Sequence, residues 1–319
     1  MGHLPEVLLL GSISRDRIMR YDGSFLDHVK GNLETLSISM LVEDLSETWG
    51  GIAANIAYSL ALLNDSSTIL TAVGKDADLY LQSLGEMGVN ISKILVSEDQ
   101  TTAFFTGTSD VGNRQINFFH TGAMTEASKI SLSPWKDIES LVVISAHDPE
   151  AMRKHVIEAH ELGLTLIYDV GQQVIKVPVE DLERGLAYAQ ILMVNEYEMG
   201  RLQERTGRNI DSINAQVPIV LTTLGEKGLI IAGKSVNTPI KIEAVKVKKV
   251  VDPTGAGDAL RAGFLYGYRR GRDLKTCGQM GSTAASFVVE TSSCQAHSFT
   301  KEEFSQRYTE FFKKKINLS

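Results

Sequence analysis

A doubly wound α/β fold, with a mainly parallel sheet flanked by helices and a small β-sheet lid, is the architecture this sequence predicts. Three observations predict it. Short apolar runs rich in β-branched residues recur along most of the chain, as in strands buried on both faces of a parallel sheet. Helical patterns separate successive runs, which is the alternation of a doubly wound sheet. Two segments, 14–49 and 96–124, break that alternation with Ser, Thr and Asp and carry short strand patterns of their own.

The expected elements follow in order. A first strand covers Glu6–Leu10, and a helix over Ile52–Leu63 follows the first interrupting segment. Thr68–Val73 reads as one strand and Ala77–Glu86 as its helix. After the second interruption, strands over Leu141–Ser145, Leu164–Tyr168 and Ile191–Val194 alternate with helices over Pro149–Leu162, Val179–Ala187 and Tyr197–Arg205. Strands over Ile219–Thr222 and Leu229–Ala232 complete the sheet, and helices over Gly257–Arg270, Leu274–Glu290 and Lys301–Lys315 close the chain. Thr101–Gly107 and Gln115–Phe119 read as short antiparallel strands inside the second interruption. The division expected is a body of residues 1–13, 50–95 and 125–319 and a discontinuous lid of 14–49 and 96–124.

Composition narrows the function. The 319 residues hold 32 Lys+Arg against 39 Asp+Glu, a formal charge of −7. Nucleic-acid polymers and anionic membranes call for clustered basic residues, so neither is an expected partner. Two cysteines are too few for a disulfide scaffold and suit a reducing compartment. The apolar run Val7–Leu10 is too short for a secretion signal. The expectation is a cytoplasmic, soluble protein.

Polar residues stand just after several strands: Asp169, Asn195, and Thr222 with Thr223. Ligands of parallel α/β sheets bind outside the carboxyl ends of the strands, so these positions face one crevice. The strongest motif is Asp252-Pro-Thr-Gly-Ala-Gly-Asp258 before a helix. Its glycines let the backbone curl, and the amides of the helix end form an anion site reinforced by the macrodipole. A carboxylate beside bound phosphate is out of place in a simple binder. It makes sense in Asp258 if it takes the proton of a hydroxyl attacking phosphorus. Arg261, one turn on, assists with phosphate or forms a surface salt bridge.

Trp49-Gly-Gly-Ile-Ala-Ala-Asn55 is a second glycine-opened helix start, with Asn55 on its first turn. Asn195-Glu-Tyr-Glu198 is a third, at a strand-to-helix junction. Either it caps the helix, or Glu198 holds a water of Mg²⁺ beside nucleotide phosphates. Gly228-Leu-Ile-Ile-Ala-Gly-Lys-Ser235 fits the P-loop pattern by letter, but its middle is a buried-strand pattern, so its amides belong to a sheet ladder. The histidines lack zinc-site spacing. His155 and His160 read as core or surface residues.

These three motifs, in this order, resemble the ribokinase-like (PfkB) family of sugar and nucleoside kinases, over essentially the whole chain. The resemblance implies ATP-dependent phosphorylation of a hydroxyl with Mg²⁺, Asp258 as base and Gly255, Ala256 and Gly257 as anion hole. It also implies nucleotide contacts at Asn195, Thr222, Thr223, Gly225, Gly228 and Thr254. Finer resemblance, to bacterial adenosine kinases of that family, rests on Gly11-Ser-Ile-Ser-Arg-Asp16, Ser37-Ile-Ser39, Thr121-Gly-Ala-Met124, Asp148-Pro-Glu-Ala-Met152 and Asp169-Val-Gly-Gln-Gln173. It implies that Ser12, Asp16, Ser39, Gly50, Gly51 and Asn55 hold the ribose, with Phe105, Gln172 and Gln173 near the base. It further implies a homodimer through the lid, with Phe119 reaching across. Ile52-Ala-Ala54 lacks the Lys typical of ribokinases there, and Val170-Gly171 replaces a Pro-Ser-like pair. The reading is an adenosine kinase making AMP and ADP. The alternatives are a kinase of guanosine, inosine, cytidine, ribose or fructose, and a non-catalytic nucleotide-binding regulator.

Overall fold

The computed structural model describes residues 4–28, 38–112 and 114–318. From the start, β1 (Glu6–Leu10) is followed by β2 (Ser14–Arg20), the short α1 (Phe25–His28), β3 (Asp44–Gly50) and α2 (Ile52–Leu62). Next come β4 (Thr68–Leu70), β5 (Ala72–Gly74), α3 (Asp78–Glu86), β6 (Leu95–Ser97), β7 (Ala103–Ser109) and β8 (Gln115–His120). Then β9 (Ser140–Ser145), α4 (Pro149–Glu161), β10 (Thr165–Asp169), α5 (Val179–Tyr188), β11 (Ile191–Asn195), α6 (Glu196–Thr206) and α7 (Ile210–Gln216) alternate. The chain ends with β12 (Ile219–Thr223), β13 (Leu229–Ala232), β14 (Ile240–Ile242), α8 (Ala256–Tyr268), α9 (Leu274–Val288) and α10 (Lys301–Phe312).

The main sheet has the order β14-β13-β12-β11-β10-β9-β1-β4. It is parallel from β4 to β12, and β13 and β14 add an antiparallel edge. Strand alternation divides the core. Val7, Leu9, Val143 and Ile167 pack with residues of α2, α8, α9 and α10, while Leu8, Leu10, Val142 and Leu166 pack with residues of α4 to α7. Both faces are apolar because both are covered by helices, so the strands read as continuous apolar runs. Strand order reverses around β1, with β4 on one side and β9 on the other, and that reversal opens a crevice at the carboxyl ends.

Two expectations are corrected. Thr68–Val73 is not one strand. The chain leaves the sheet edge at Thr71, whose carbonyl accepts from Leu95 N (2.9 Å), and β5 then pairs with β6. The inserted strands are also not wholly antiparallel. They form one sheet of order β3-β2-β7-β8 in which β2 and β7, from different insertions, run parallel. Each insertion supplies one antiparallel pair, and the two pairs meet edge to edge. The helix α7 and the strand β14 are short elements with no clear period in the sequence.

One buried ion cluster ties the loop after α2 to the end of α8. Asp65 accepts from Arg269 Nη1 (3.0 Å) and from Arg270 Nη1 (2.9 Å) and Nη2 (3.1 Å). Removing the carboxylate strands two guanidinium groups, one of them buried. Asp65→Ala is expected to cost about 3 kcal/mol of unfolding free energy. A urea titration checks this, and a loss below about 1 kcal/mol would contradict it.

Candidate active site

The site is assembled where α8, α2 and α6 begin. Gly255 is the N-cap of α8 with φ 84°, and a Cβ there would stand 2.9 Å from that of Cys294. This left-handed residue turns the loop so that the helix end points into the crevice. Ala256 N and Asp258 N donate to Pro253 O (3.2 Å) and Gly255 O (3.1 Å). Among the described residues, the Gly255 and Gly257 amides carry no such turn bond, so they are the loop's readiest anion donors. Thr254 stays exposed on the turn, its amide donating to Asp252 Oδ1 (2.8 Å).

Asp258, in the first turn of α8, accepts from Asn55 Nδ2 (2.8 Å). Burial raises its pKa to about 6, against the lowering effects of Arg261 and the Asn55 bond, while Asp169 and Glu198 raise it further. A carboxyl titrating there is a competent base near neutrality. Arg261 is neither at the surface nor in a surface bridge. It is buried, with Nη2 donating to Asp169 Oδ1 (2.6 Å) and Nη1 3.9 Å from Asp258 Oδ1. The sequence pattern gave its helix position but not the depth of that face.

A cavity of about 1000 Å³ runs from this loop across the sheet ends. Of the expected nucleotide residues, Asn195, Thr223, Gly225 and Gly228 line it, together with Glu198, Ala256, Gly257 and Asp258. Thr222 and Thr254 do not belong to its wall. Asn195 and Glu198 prove to be both cap and cavity wall. Asn195 Oδ1 accepts from Glu198 N (2.7 Å) and Glu198 Oε2 accepts from Asn195 N (2.8 Å). The capping box consumes one carboxylate oxygen and fixes the other. Burial raises the Glu198 pKa, and Arg261 opposes that.

No group of three or more His, Cys, Asp or Glu able to hold a metal occurs among the described residues. Were Mg²⁺ to arrive with the phosphates of a nucleotide, Glu198 at the cavity wall would hold it through a water.

On the acceptor side, Gly51 has φ 97°, and a Cβ there would lie 2.4 Å from Ser12 O. The Ser12 hydroxyl accepts from Ile52 N (3.1 Å), so Ser12 braces the glycine turn. Asp16 faces Gly50, where a Cβ would stand 2.3 Å from Asp16 Oδ2, and it accepts from the Ser14 hydroxyl (2.9 Å). Burial raises the Asp16 pKa and the Ser14 bond lowers it. Asp16 and Asp258 both act on the Cys294 thiol, which burial pushes up to about 12. Asp16 stands beside Gly50 and Asp258 is bonded to Asn55, so the glycine turn that opens α2 lies between the two carboxylates.

Asp16 pairs across β2–β7 with Phe105, and Phe105 across β7–β8 with Phe119. Directly opposed residues share a face of the pleat. Asp16, Phe105 and Phe119 therefore form one row on one side of this sheet, and Phe104 and Phe118 point the other way. Gln172 lines the cavity, but Gln173 Nε2 is spent on His147 O (2.6 Å). Ser39 lies exposed on the chain before β3, and Ser37 is outside the described residues.

Two residues had no sequence signal. Gln295 Nε2 donates to Asn55 Oδ1 (2.9 Å) and to Tyr80 OH (2.7 Å), and Tyr80 stacks on Trp49 with centroids 4.5 Å apart. Gln295 lies in a loop and Tyr80 on an ordinary amphipathic helix, so only tertiary contact reveals them. The P-loop string is a sheet hairpin, since Leu229–Ala232 is β13 paired antiparallel with β12. Lys234→Ala is accordingly expected to change turnover less than about twofold, because exposed substitutions have small effects. A loss of more than tenfold in a coupled assay would return phosphate binding to that string.

The family model of pfkB family carbohydrate kinases matches residues 5–301. The nucleoside kinase of Methanocaldococcus jannaschii is 34% identical over 271 residues, 84% of this chain and 88% of that one. The solved Burkholderia thailandensis nucleoside kinase in complex with inosine superposes with a TM-score of 0.88 at 30% identity, covering 97% of this chain and 100% of that chain. The crystal structure of the M. jannaschii nucleoside kinase, described as an archaeal member of the ribokinase family, gives 0.84 at 30% identity, over 97% and 100%. The chain belongs to the pfkB family and has its ribokinase-like fold; it is a phosphotransferase of the ATP-dependent class. No helix among the described residues is long and apolar enough to cross a membrane.

Proposed function

We propose that this pfkB-family kinase phosphorylates the 5′-hydroxyl of a nucleoside with ATP, and that adenosine is its acceptor. The observation that carries the reading is Asp258, a largely desolvated carboxylate at the anion loop, held by Asn55 and raised to about 6. Asp258 accepts the hydroxyl proton as the oxygen attacks the γ-phosphorus, and the phosphoryl group leaves ADP. The Gly255 and Gly257 amides receive the charge developing on the transferring group. Mg²⁺, when bound, supplies charge neutralisation between the phosphates. Asp16 offers two oxygens to the vicinal ribose hydroxyls, and the Phe105 and Phe119 faces suit a flat base. The resemblance to nucleoside kinases, one of them solved with inosine, favours a nucleoside over a free sugar. Phe119 is 45% exposed at the edge strand β8, where a second copy pairing its own lid would cover it.

The test is ADP release with Mg²⁺ over adenosine, inosine, guanosine, cytidine, ribose and fructose. Preference for adenosine supports the full reading. Preference for another nucleoside overturns the choice of base and keeps the nucleoside class. Turnover of sugars alone rejects the nucleoside, and no turnover favours a non-catalytic binder.

A further inference from the structure

More carboxylate gathers at the cavity than a phosphate site should tolerate: Glu198 and Asp258 line it, and Asp169 lies fully buried against Arg261. Asp169 from the end of β10, Glu198 from α6 and Asp258 from α8 all act on the one buried guanidinium of Arg261. A guanidinium that bonded Asp258 directly would keep it ionised but make it a poor base. A missing guanidinium would leave neighbouring carboxylates in a desolvated site, and Asp258 would take up a proton. The observed geometry avoids both. Arg261 gives its short bond to Asp169 (2.6 Å) and stands 3.9 Å from Asp258. Asp169 is itself fully buried and fixed by the Ser145 hydroxyl donating to Oδ2 (2.9 Å).

Gly257 fits the same arrangement. A Cβ at Gly257 would lie 2.8 Å from Arg261 Nη1, so the absent side chain makes room for the guanidinium against the anion loop. Neither Asp169 nor Arg261 has a step in the phosphoryl transfer described above.

We infer that Asp169 is a positioning residue that anchors Arg261 at a fixed stand-off from Asp258, so that the base stays charged without being captured. This rests on reading Asp258 as the base. The groups facing Asp258 are Arg261 on its own helix, Asn55 from α2, Asp169 from β10, Glu198 from α6 and the Cys294 thiol from the loop after α9. Only the first two favour its charged form. Asp169 and Arg261 therefore bear on the base in opposite ways.

The experiment uses the full chain with Asp169→Asn, Arg261→Gln and Arg261→Lys. The Asp258 carboxyl carbon is titrated by ¹³C NMR, and the acid limb of kcat/KM is measured on the best acceptor of the panel. Asp169→Asn frees the guanidinium to bond Asp258, and its titration is expected to fall by about one pH unit. Arg261→Gln is expected to raise it by about one unit or more, cutting kcat at pH 6 about fivefold or more with recovery at pH 8. Both variants are expected to leave KM for ATP within about threefold. If Arg261→Gln does not fold, Arg261→Lys keeps the charge without the fork, and a shift of the same sign as in Asp169→Asn supports the inference. Shifts of one sign in Asp169→Asn and Arg261→Gln, or no shift in Asp169→Asn, overturn it. So does a rise of tenfold or more in KM for ATP with an unmoved limb, which would make Arg261 a phosphate ligand. The NMR titration needs no turnover. A silent acceptor panel with opposed shifts rejects the proposed function, whereas an active panel with parallel shifts rejects only the anchoring role.

Discussion

Asp258→Asn is expected to lose about 10³-fold or more in kcat while ATP affinity stays within a few fold. An amide can still accept the Asn55 bond through its oxygen, but it cannot take the hydroxyl proton. Wild-type activity is expected to fall as the pH drops through about 6, where the buried carboxyl protonates. Asp258→Asn should show no such limb in its residual rate. The same substitution is expected to raise stability. The folded pKa, about 6, lies above the ordinary carboxyl value of 3.8. The folded state thus binds the proton more tightly, and stability falls as pH rises between those values and stays low above them. Removing the charge recovers an amount of the order of 2 kcal/mol at pH 7. Thermal melts of the two proteins at pH 7 and pH 4 check the sign. A variant that keeps near-normal turnover would remove Asp258 from the base role.

The second large effect is expected at Asp16. Its carboxylate is partly desolvated, with Oδ1 satisfied by the Ser14 hydroxyl and Oδ2 turned toward Gly50. A diol bound there gains charge-assisted hydrogen bonds of about 1.5–3 kcal/mol each. Asp16→Ala is expected to lower kcat/KM for the acceptor by about 10²–10³-fold, with KM for ATP unchanged. Deoxygenated nucleosides provide the complementary measurement. A 2′-deoxynucleoside should lose much of its advantage in the wild type and little in Asp16→Ala. Equal losses in both proteins would place the ribose elsewhere.

These residues differ in how plainly the sequence announces them. Gly255, Asp258, Gly51 and Asn55 sit at helix starts, where the local pattern of glycine followed by a polar residue already determines what the backbone can do. The same local logic made Asn195 and Glu198 legible, although a cap and a ligand-facing wall looked like rival readings and turned out to be one arrangement. Arg261 and Asp169 were visible as residues but not as a pair, because 92 positions separate them and the sheet alone brings β10 beneath α8. Gln295 and Tyr80 were not visible at all. Their roles come from a meeting of two surfaces, and neither carries a local conformational signature. The strand directions of the inserted sheet escape the sequence for a related reason. Each pair is antiparallel within its own insertion, through a short turn in β7–β8 and a longer segment in β2–β3, but the direction of the β2–β7 contact depends on where the body delivers the two insertions.

That parallel contact bears on how the chain acquires its structure. Ser14 pairs with Ala103, so forming the contact in an otherwise unfolded chain would close a loop of roughly 90 residues, at about 4 kcal/mol of lost entropy. Two isolated antiparallel pairs cannot meet that cost with a handful of ladder bonds. Once the body elements that flank the two insertions have assembled, β1 and α2 for the first and β6 with residues 122–129 for the second, most of that cost has been met by the body. The inserted sheet is thus conditional on the body, and its backbone amides are expected to be among the first to exchange with solvent.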